Sequence, residues 1–273
     1  MMAAVDKTTS IFANDRSRRL QTSAPASSSL LHIKPAEEVW NSLRRFVPDM
    51  NTLDDNKMIA AARRNPAHVA FDVLRTRMTM ALRERGWYRV GITSPTVGCG
   101  KSFVAGNLAI SFSRQEEMKT VLMDLDLNKP SLAGLFGVQG TGAMAEFLSG
   151  EHSVESHFLR PEKNLPQIGQ NLALGANARS EMFGSEILQY PSTETALNEA
   201  QSMLDPDIML FDLPPALSTD AVVALSDQLD CVLIVVSGDR SKKADIAETE
   251  RLIGDTKPIL GVVMNKAQGS YFG

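Results

Sequence analysis

The chain has 273 residues, 43% hydrophobic and 22% charged, with a formal net charge of -4, a globular composition with ample chain to bury a core. Two cysteines (Cys99 and Cys231) and four dispersed histidines supply neither a disulfide framework nor a metal-ligand spacing, and the strongest apolar run, VLIVV at 232–236, is strand length, far short of the roughly 18–20 residues that cross a bilayer. The expectation is a soluble, cytoplasmic protein that does not bind nucleic acid. Its charge is uneven: residues 1–86 hold 14 Lys+Arg against 9 Asp+Glu, a surplus of +5, and residues 87–273 hold 14 against 23, or -9. A basic front on an acidic body points to a partner or a membrane surface.

Residues 1–35 carry the Ser/Ala/Pro-rich stretch TSAPASSSL and no apolar period, which predicts disorder. In AEEVWNSLRRFV at 36–47, Val39, Trp40, Leu43, Phe46 and Val47 share one side of a helix. That helix either docks on a membrane or partner or packs back on its own domain. Residues 48–65 read as a linker. The expected organisation is a basic extension over 1–65, largely disordered or partly helical, a domain over 66–267, and a flexible tail over 268–273. From residue 66 a helix is marked by Phe71, Leu74, Met78 and Leu82 and stopped by Gly86. Strands then alternate with helices. Strands are expected at 88–93, 120–126, 171–176, 207–213, 231–238 and 258–266. Helices are expected at 101–114, 144–150, 180–189, 193–204, 219–227 and 241–253. Near-continuous apolar strands predict a parallel sheet covered on both faces.

The first of these strands runs into SPTVGCGKS at 94–102 and then a helix, the context in which a G-x-x-x-x-G-K-[ST] match is meaningful, although Pro95 occupies the first glycine position. Gly98 and Gly100 let successive N–H groups point at phosphate oxygens, and the helix adds its positive end. Lys101 would reach the β- and γ-phosphates and Ser102 would ligate Mg²⁺. Strand 120–126 ends in Asp124-Leu125-Asp126, and strand 207–213 carries Asp212 before Pro214-Pro215. Ligands of open α/β sheets sit outside the carboxyl ends of the strands. There Asp212 would hold the metal, while Asp124 and Asp126 would assist it and activate a hydroxyl or water. A strand-end Asp can equally cap the next helix. Six of the 23 acids of the body, Asp124, Asp126, Asp212, Asp220, Asp227 and Asp230, fall around these strands, where Mg²⁺ would offset their charge. Cys99, near a helix N-terminus, is either a reactive thiol controlling nucleotide binding or a loop filler. Cys231 opens an apolar strand as a small hydrophobe.

Four segments in order, 92–112, 121–137, 208–246 and 259–266, resemble the cytoplasmic domain of the bacterial tyrosine kinases (BY-kinases) of capsule and exopolysaccharide synthesis, in the MinD/ParA-like branch of P-loop ATPases. The likeness covers about residues 66–267. It implies a three-layer αβα sandwich with a mostly parallel sheet, and an ATP- and Mg²⁺-dependent protein tyrosine (auto)kinase. It implies a nucleotide site of Gly98, Cys99, Gly100, Lys101, Ser102, Phe103 and Asn265, catalytic residues Lys101, Asp124, Asp126 and Asp212, and metal ligands Ser102, Asp124 and Asp212. Asn265 stands where relatives contact the adenine base, and Asp220 matches a further family position. The resemblance also implies a transmembrane polysaccharide co-polymerase or adaptor as partner, recruitment through it to the inner face of the membrane, and a homo-oligomer. Departures are visible. Thr96 stands where positioning ATPases carry a signature Lys, and Asn128 replaces an arginine beside Lys129. Of the family's Glu…Arg…Arg subunit-contact motif only Arg75 is kept, with Val69 and Asp72 at the other places. Tyr271 is the one tail tyrosine, either a phosphoacceptor or a terminal residue without a role. The alternatives to a kinase are an ATP-binding or ATP-hydrolysing regulatory subunit of the membrane partner, and a positioning ATPase.

Overall fold

The computed structural model describes residues 34–61, 67–139, 142–163 and 168–267. The expectations for residues 1–33, for the tail and for Tyr271 lie outside the described residues.

Helix α1 (Ala36–Ser42) leads into strand β1 (Arg44–Phe46) and helix α2 (Met50–Asp55). Helix α3 (His68–Arg85) precedes β2 (Arg89–Thr93), α4 (Lys101–Ser113) and β3 (Thr120–Asp124). Short helices α5 (Leu132–Phe136), α6 (Met144–Leu148) and α7 (Val154–His157) follow, then β4 (Leu159–Pro161) and β5 (Leu172–Gly175). Next come α8 (Gly184–Gln189), α9 (Pro191–Leu204), β6 (Ile208–Asp212) and α10 (Ala221–Ala224). The described chain closes with β7 (Cys231–Ser237), α11 (Lys243–Gly254) and β8 (Ile259–Asn265).

The strands form one sheet in the order β1-β4-β5-β3-β6-β2-β7-β8. Every neighbouring pair is parallel except β4 with β5. Side chains alternate between the two faces of a strand, and the core divides accordingly. Val90, Ile92, Leu122, Leu210 and Leu233 pack under α2, α3, α4 and α5. Val121, Met123, Met209, Phe211, Val232 and Ile234 pack under α1, α6, α9, α10 and α11. This is the expected three-layer sandwich. Because β3, β6 and β2 are adjacent and parallel, their carboxyl ends open at one edge, side by side with the loop that enters α4.

The predicted strands and the helix stopped by Gly86, which caps α3 at φ +66°, are all present. The front of the chain differs from its reading. The expected helix over 36–47 is helical only to Ser42 and then becomes β1, which pairs with β4. Neither three-residue strand is legible as a pattern: RRF and LRP contain charge or proline and are strands only because a partner supplies their hydrogen bonds. Between the two outcomes posed for that helix, it packs back. Val39 and Trp40 are buried against α9, and Trp40 Nε1 donates to the Leu204 carbonyl at 2.6 Å. Within the stretch read as linker, α2 buries Leu53 and is capped by Asp49, which accepts from Asn51 and Thr52 N–H at 3.3 and 3.2 Å. The helix expected over 219–227 is α10 followed by a 3-10 turn (Ser226–Gln228).

Candidate active site

The loop at 95–102 joins β2 to α4, with Gly98 at φ +84° and Gly100 at φ +90°, the left-handed region that glycine enters at no steric cost. Lys101, the first residue of α4, turns its ammonium down between two strand ends. Its Nζ lies 2.8 Å from Asp126 Oδ2 and 3.6 Å from Asp212 Oδ1, and donates to Ser102 Oγ at 3.2 Å. Asp124 and Asp212 are direct partners in the β3–β6 register, so the sheet itself sets these two carboxylates side by side.

Each aspartate has distinct surroundings. Asp124 Oδ2 accepts the Ser131 and Leu132 N–H groups at 2.9 Å each, so it does cap α5, while its Oδ1 is buried without a hydrogen-bond partner. Both Asp212 oxygens are buried without one. Asp126 accepts the Lys129 N–H at 3.1 Å and is the only one of the three to line the open cleft. That cleft, of about 500 Å³, is bounded by Val97, Gly98, Lys101, Ser102, Phe103, Asn128 and Pro214 among others.

Three carboxylates against one ammonium leave a surplus of negative charge in a dry place. Burial pushes the Asp124 carboxyl well above its ordinary range, and the neighbouring Asp212 charge adds to it. Burial raises Asp212 too, with Lys101 pulling it back. Burial alone would lower the Lys101 ammonium, but Asp212 and Asp126 outweigh it and the net shift is upward. Orphaned oxygens on Asp124 and Asp212 beside the Ser102 hydroxyl form a hard-oxygen donor set of the kind Mg²⁺ takes when phosphates complete its shell. The residues present therefore fit Mg²⁺ with a nucleotide.

The other expected residues are dispersed differently. Cys99 is fully enclosed, its Sγ 3.5 Å from Ser241 Oγ and 3.7 Å from Thr96 Oγ1. That is the setting of a loop filler. Asn265 lies at the loop, its Nδ2 donating to the Cys99 carbonyl at 2.9 Å. Asp220 and Asp227 are exposed. Asp230 corrects the charge reading, because its Oδ2 accepts the Tyr88 and Arg89 N–H groups at 2.8 Å each. It sits where β2 begins, the opposite end of the sheet from the cleft. Arg75 donates to Asp72 Oδ1 at 3.1 Å and to the Ser111 carbonyl and Oγ at 3.2 Å, tying α3 to α4. Lys266 went unnoticed in the sequence. It donates from Nζ to the Gly98 carbonyl at 2.8 Å, and its adjacency to Asn265 was the available signal.

A family model described as ParA, NUBPL iron-transfer P-loop NTPase, matches residues 88–270. Among curated proteins, "Putative tyrosine-protein kinase EpsB" of Ralstonia solanacearum is 29% identical over 202 residues, 74% of this chain and 26% of that protein. This chain thus spans about a quarter of that relative. Tyrosine-protein kinase YwqD of Bacillus subtilis is 26% identical over 196 residues, 71% of this chain and 79% of that one. Among solved structures, the kinase domain of Escherichia coli tyrosine kinase ETK superposes with a TM-score of 0.68 at 18% identity, covering 88% of this chain and 97% of that one. The VpsO kinase domain gives 0.63 at 24% identity, covering 74% and 96%. The glycine loop on β2, the strand-end aspartates on β3 and β6, and the family match over 88–270 agree: the chain belongs to the ParA family of P-loop NTPases.

Proposed function

We propose that this protein is an ATP-dependent protein tyrosine (auto)kinase of capsular or exopolysaccharide biosynthesis and export. The observation that carries phosphoryl transfer is Lys101 held between Asp126 and Asp212 under the glycine loop, beside buried Asp124 and Asp212 oxygens that have no hydrogen-bond partner. Tyrosine as acceptor rests on the names of the relatives. The loop N–H groups of 98–102 and Lys101 would hold the β- and γ-phosphates. Ser102, Asp212 and Asp124 would hold Mg²⁺, which when bound neutralises the phosphate charge that develops during transfer. Lys101 exchanging Asp126 for phosphate oxygens frees a carboxylate that faces the cleft. That carboxylate accepts the phenolic proton as the tyrosine oxygen bonds to the γ-phosphorus and the bond to the β–γ bridging oxygen breaks, releasing ADP. A second cleft of about 650 Å³ between α3 and β8 meets the first at Phe103 and has the size and apolar lining for the nucleoside.

Among the described residues no helix is long and apolar enough to cross a membrane. Recruitment by a transmembrane co-polymerase, with the basic front as tether, completes the proposal. The test is incubation with Mg·ATP and the membrane partner, followed by phosphotyrosine detection and mass-spectrometric mapping, with Lys101→Ala as control. Phosphate on Tyr271 supports the autokinase, and absence of phosphotyrosine defeats it. The second reading is an ATP-hydrolysing regulatory subunit, favoured by Arg75, whose Nη1 is engaged within its own chain by Asp72 and Ser111. ATP hydrolysis without phosphotyrosine would establish it. Iron transfer, the description attached to the family match, finds no cysteine pair here. Cys99 lies in the loop and Cys231 in β7, both buried.

A further inference from the structure

The end of β8 holds two successive carbonyls of the glycine loop. Asn265 Nδ2 donates to the Cys99 carbonyl at 2.9 Å, and Lys266 Nζ donates to the Gly98 carbonyl at 2.8 Å. A trans peptide is planar, so its N–H points opposite to its C=O. Drawing the Gly98 carbonyl toward β8 therefore turns the Cys99 N–H away from it, and drawing the Cys99 carbonyl does the same to the Gly100 N–H. These are the donors a phosphate would meet at the entrance to α4.

Elsewhere the loop is held by the buried Cys99 side chain against Ser241 and by the Leu217 N–H on the Pro95 carbonyl, neither of which binds the Gly98 or Cys99 carbonyl. Gly98 and Gly100 give it the greatest backbone freedom available. Gly100 is glycine for a further reason, since a Cβ there would collide with Asn265 Nδ2. The β8 end is itself restrained. The Gly238 N–H donates to the Asn265 carbonyl at 2.8 Å, and Gly238 packs so closely that an added Cβ would lie 3.1 Å from Ala267 Cα and from the Lys266 carbonyl oxygen. Lys266 is one of three non-glycine residues with positive φ among those described, at +54°, which aims its side chain back over the loop.

We infer that Asn265 and Lys266 are positioning residues that fix the direction of the Cys99 and Gly100 N–H groups before an anion arrives, so that the β8 end serves phosphate recognition. Resting on the nucleotide-binding reading above, this assigns Asn265 a task separate from contact with the base.

The test uses the full chain and two readouts. Without nucleotide, hydrogen exchange is followed in the peptide over 94–103 for wild type, Asn265→Ala, Lys266→Met and Lys266→Arg. With Mg²⁺, affinities for ATP, GTP and base-free tripolyphosphate are measured by displacement of a fluorescent ATP analogue. Both disruptive variants should speed exchange in the loop peptide while α9 stays unchanged. Each should weaken ATP and tripolyphosphate by the same factor, about three- to tenfold, the worth of one hydrogen bond. Lys266→Arg, which can donate to the same carbonyl, should restore most of the affinity. Unchanged exchange in both variants overturns the inference. So does loss of ATP affinity in Asn265→Ala with tripolyphosphate binding intact, since that makes Asn265 a reader of the base. If wild type binds no Mg·ATP, the nucleotide reading fails, and the exchange comparison still decides the positioning claim.

Discussion

His157 should make the native state sensitive to acid, and replacing it should remove the sensitivity. The ring is fully buried, stacked on Phe147 with centroids 5.0 Å apart and set edge-on to Phe158 at 5.6 Å, and neither ring nitrogen has a hydrogen-bond partner. Burial, reinforced by the nearby charges of His152 and Arg44, lowers its pKa from 6.5 to about 4. Because the folded value lies below the unfolded one, the unfolded chain takes up a proton that the native state refuses. The His157 contribution to stability is therefore complete above pH 6.5 and is lost as pH falls toward 4. With about 1.4 kcal/mol per pKa unit, the loss reaches about 2 kcal/mol at pH 5 and about 3 kcal/mol below pH 4. The variant His157→Phe keeps a ring against Phe147 and cannot titrate. Urea unfolding of both proteins at pH 7.5, 6.0 and 5.0 should show the wild-type stability falling more steeply, with the two differing at pH 5 by about 2 kcal/mol relative to their difference at pH 7.5. Parallel curves, or an NMR titration placing His157 near 6.5, would refute the reasoning.

Four further outcomes are expected. Without nucleotide, the raised carboxyls of Asp124 and Asp212 bind protons that the unfolded chain has released. Thermal stability should thus fall as pH rises from the ordinary carboxylate range through the raised values, and Mg·ATP should flatten that slope. Asp212→Asn should raise the stability of the nucleotide-free protein at pH 7.5 by about 1–2 kcal/mol while abolishing Mg²⁺-dependent nucleotide binding, the usual exchange of stability for function at a strained site. Gly100→Ala places a Cβ into Asn265 at φ +90°, which should cost roughly 1–2 kcal/mol in denaturant unfolding and weaken ATP binding. Trp40→Phe removes the donor to the Leu204 carbonyl and leaves that buried oxygen unpaired, at a cost of about 1–3 kcal/mol by the same assay. An unchanged midpoint would mean that this hydrogen bond contributes nothing to the docking of α1.

Much of this protein was legible along the chain because the signals are local. The run CVLIVVS makes a doubly covered strand wherever it is placed in an α/β protein, and its seven residues are all buried in β7. The Gly98–Gly100–Lys101 spacing dictates a left-handed turn into a helix, and the loop has that geometry. The strand-end positions of Asp124 and Asp212 follow from where the apolar runs stop. What chain order could not supply is adjacency. Asp124 and Asp212 face each other only because β3 and β6 pair, although 88 positions separate their register partners. Asp230 shows the converse, since an acid close in sequence to a site strand lies at the other end of the sheet. β1 and β4 exist because each completes the hydrogen bonds of the other. The two carbonyls held by Asn265 and Lys266 belong to a loop formed by residues 98 and 99, far upstream. Backbone preference and apolar period act over a few residues, so the sequence reveals them directly. Shared burial of charge and the direction of a single N–H depend on which strands pack together, and the folded sheet sets both.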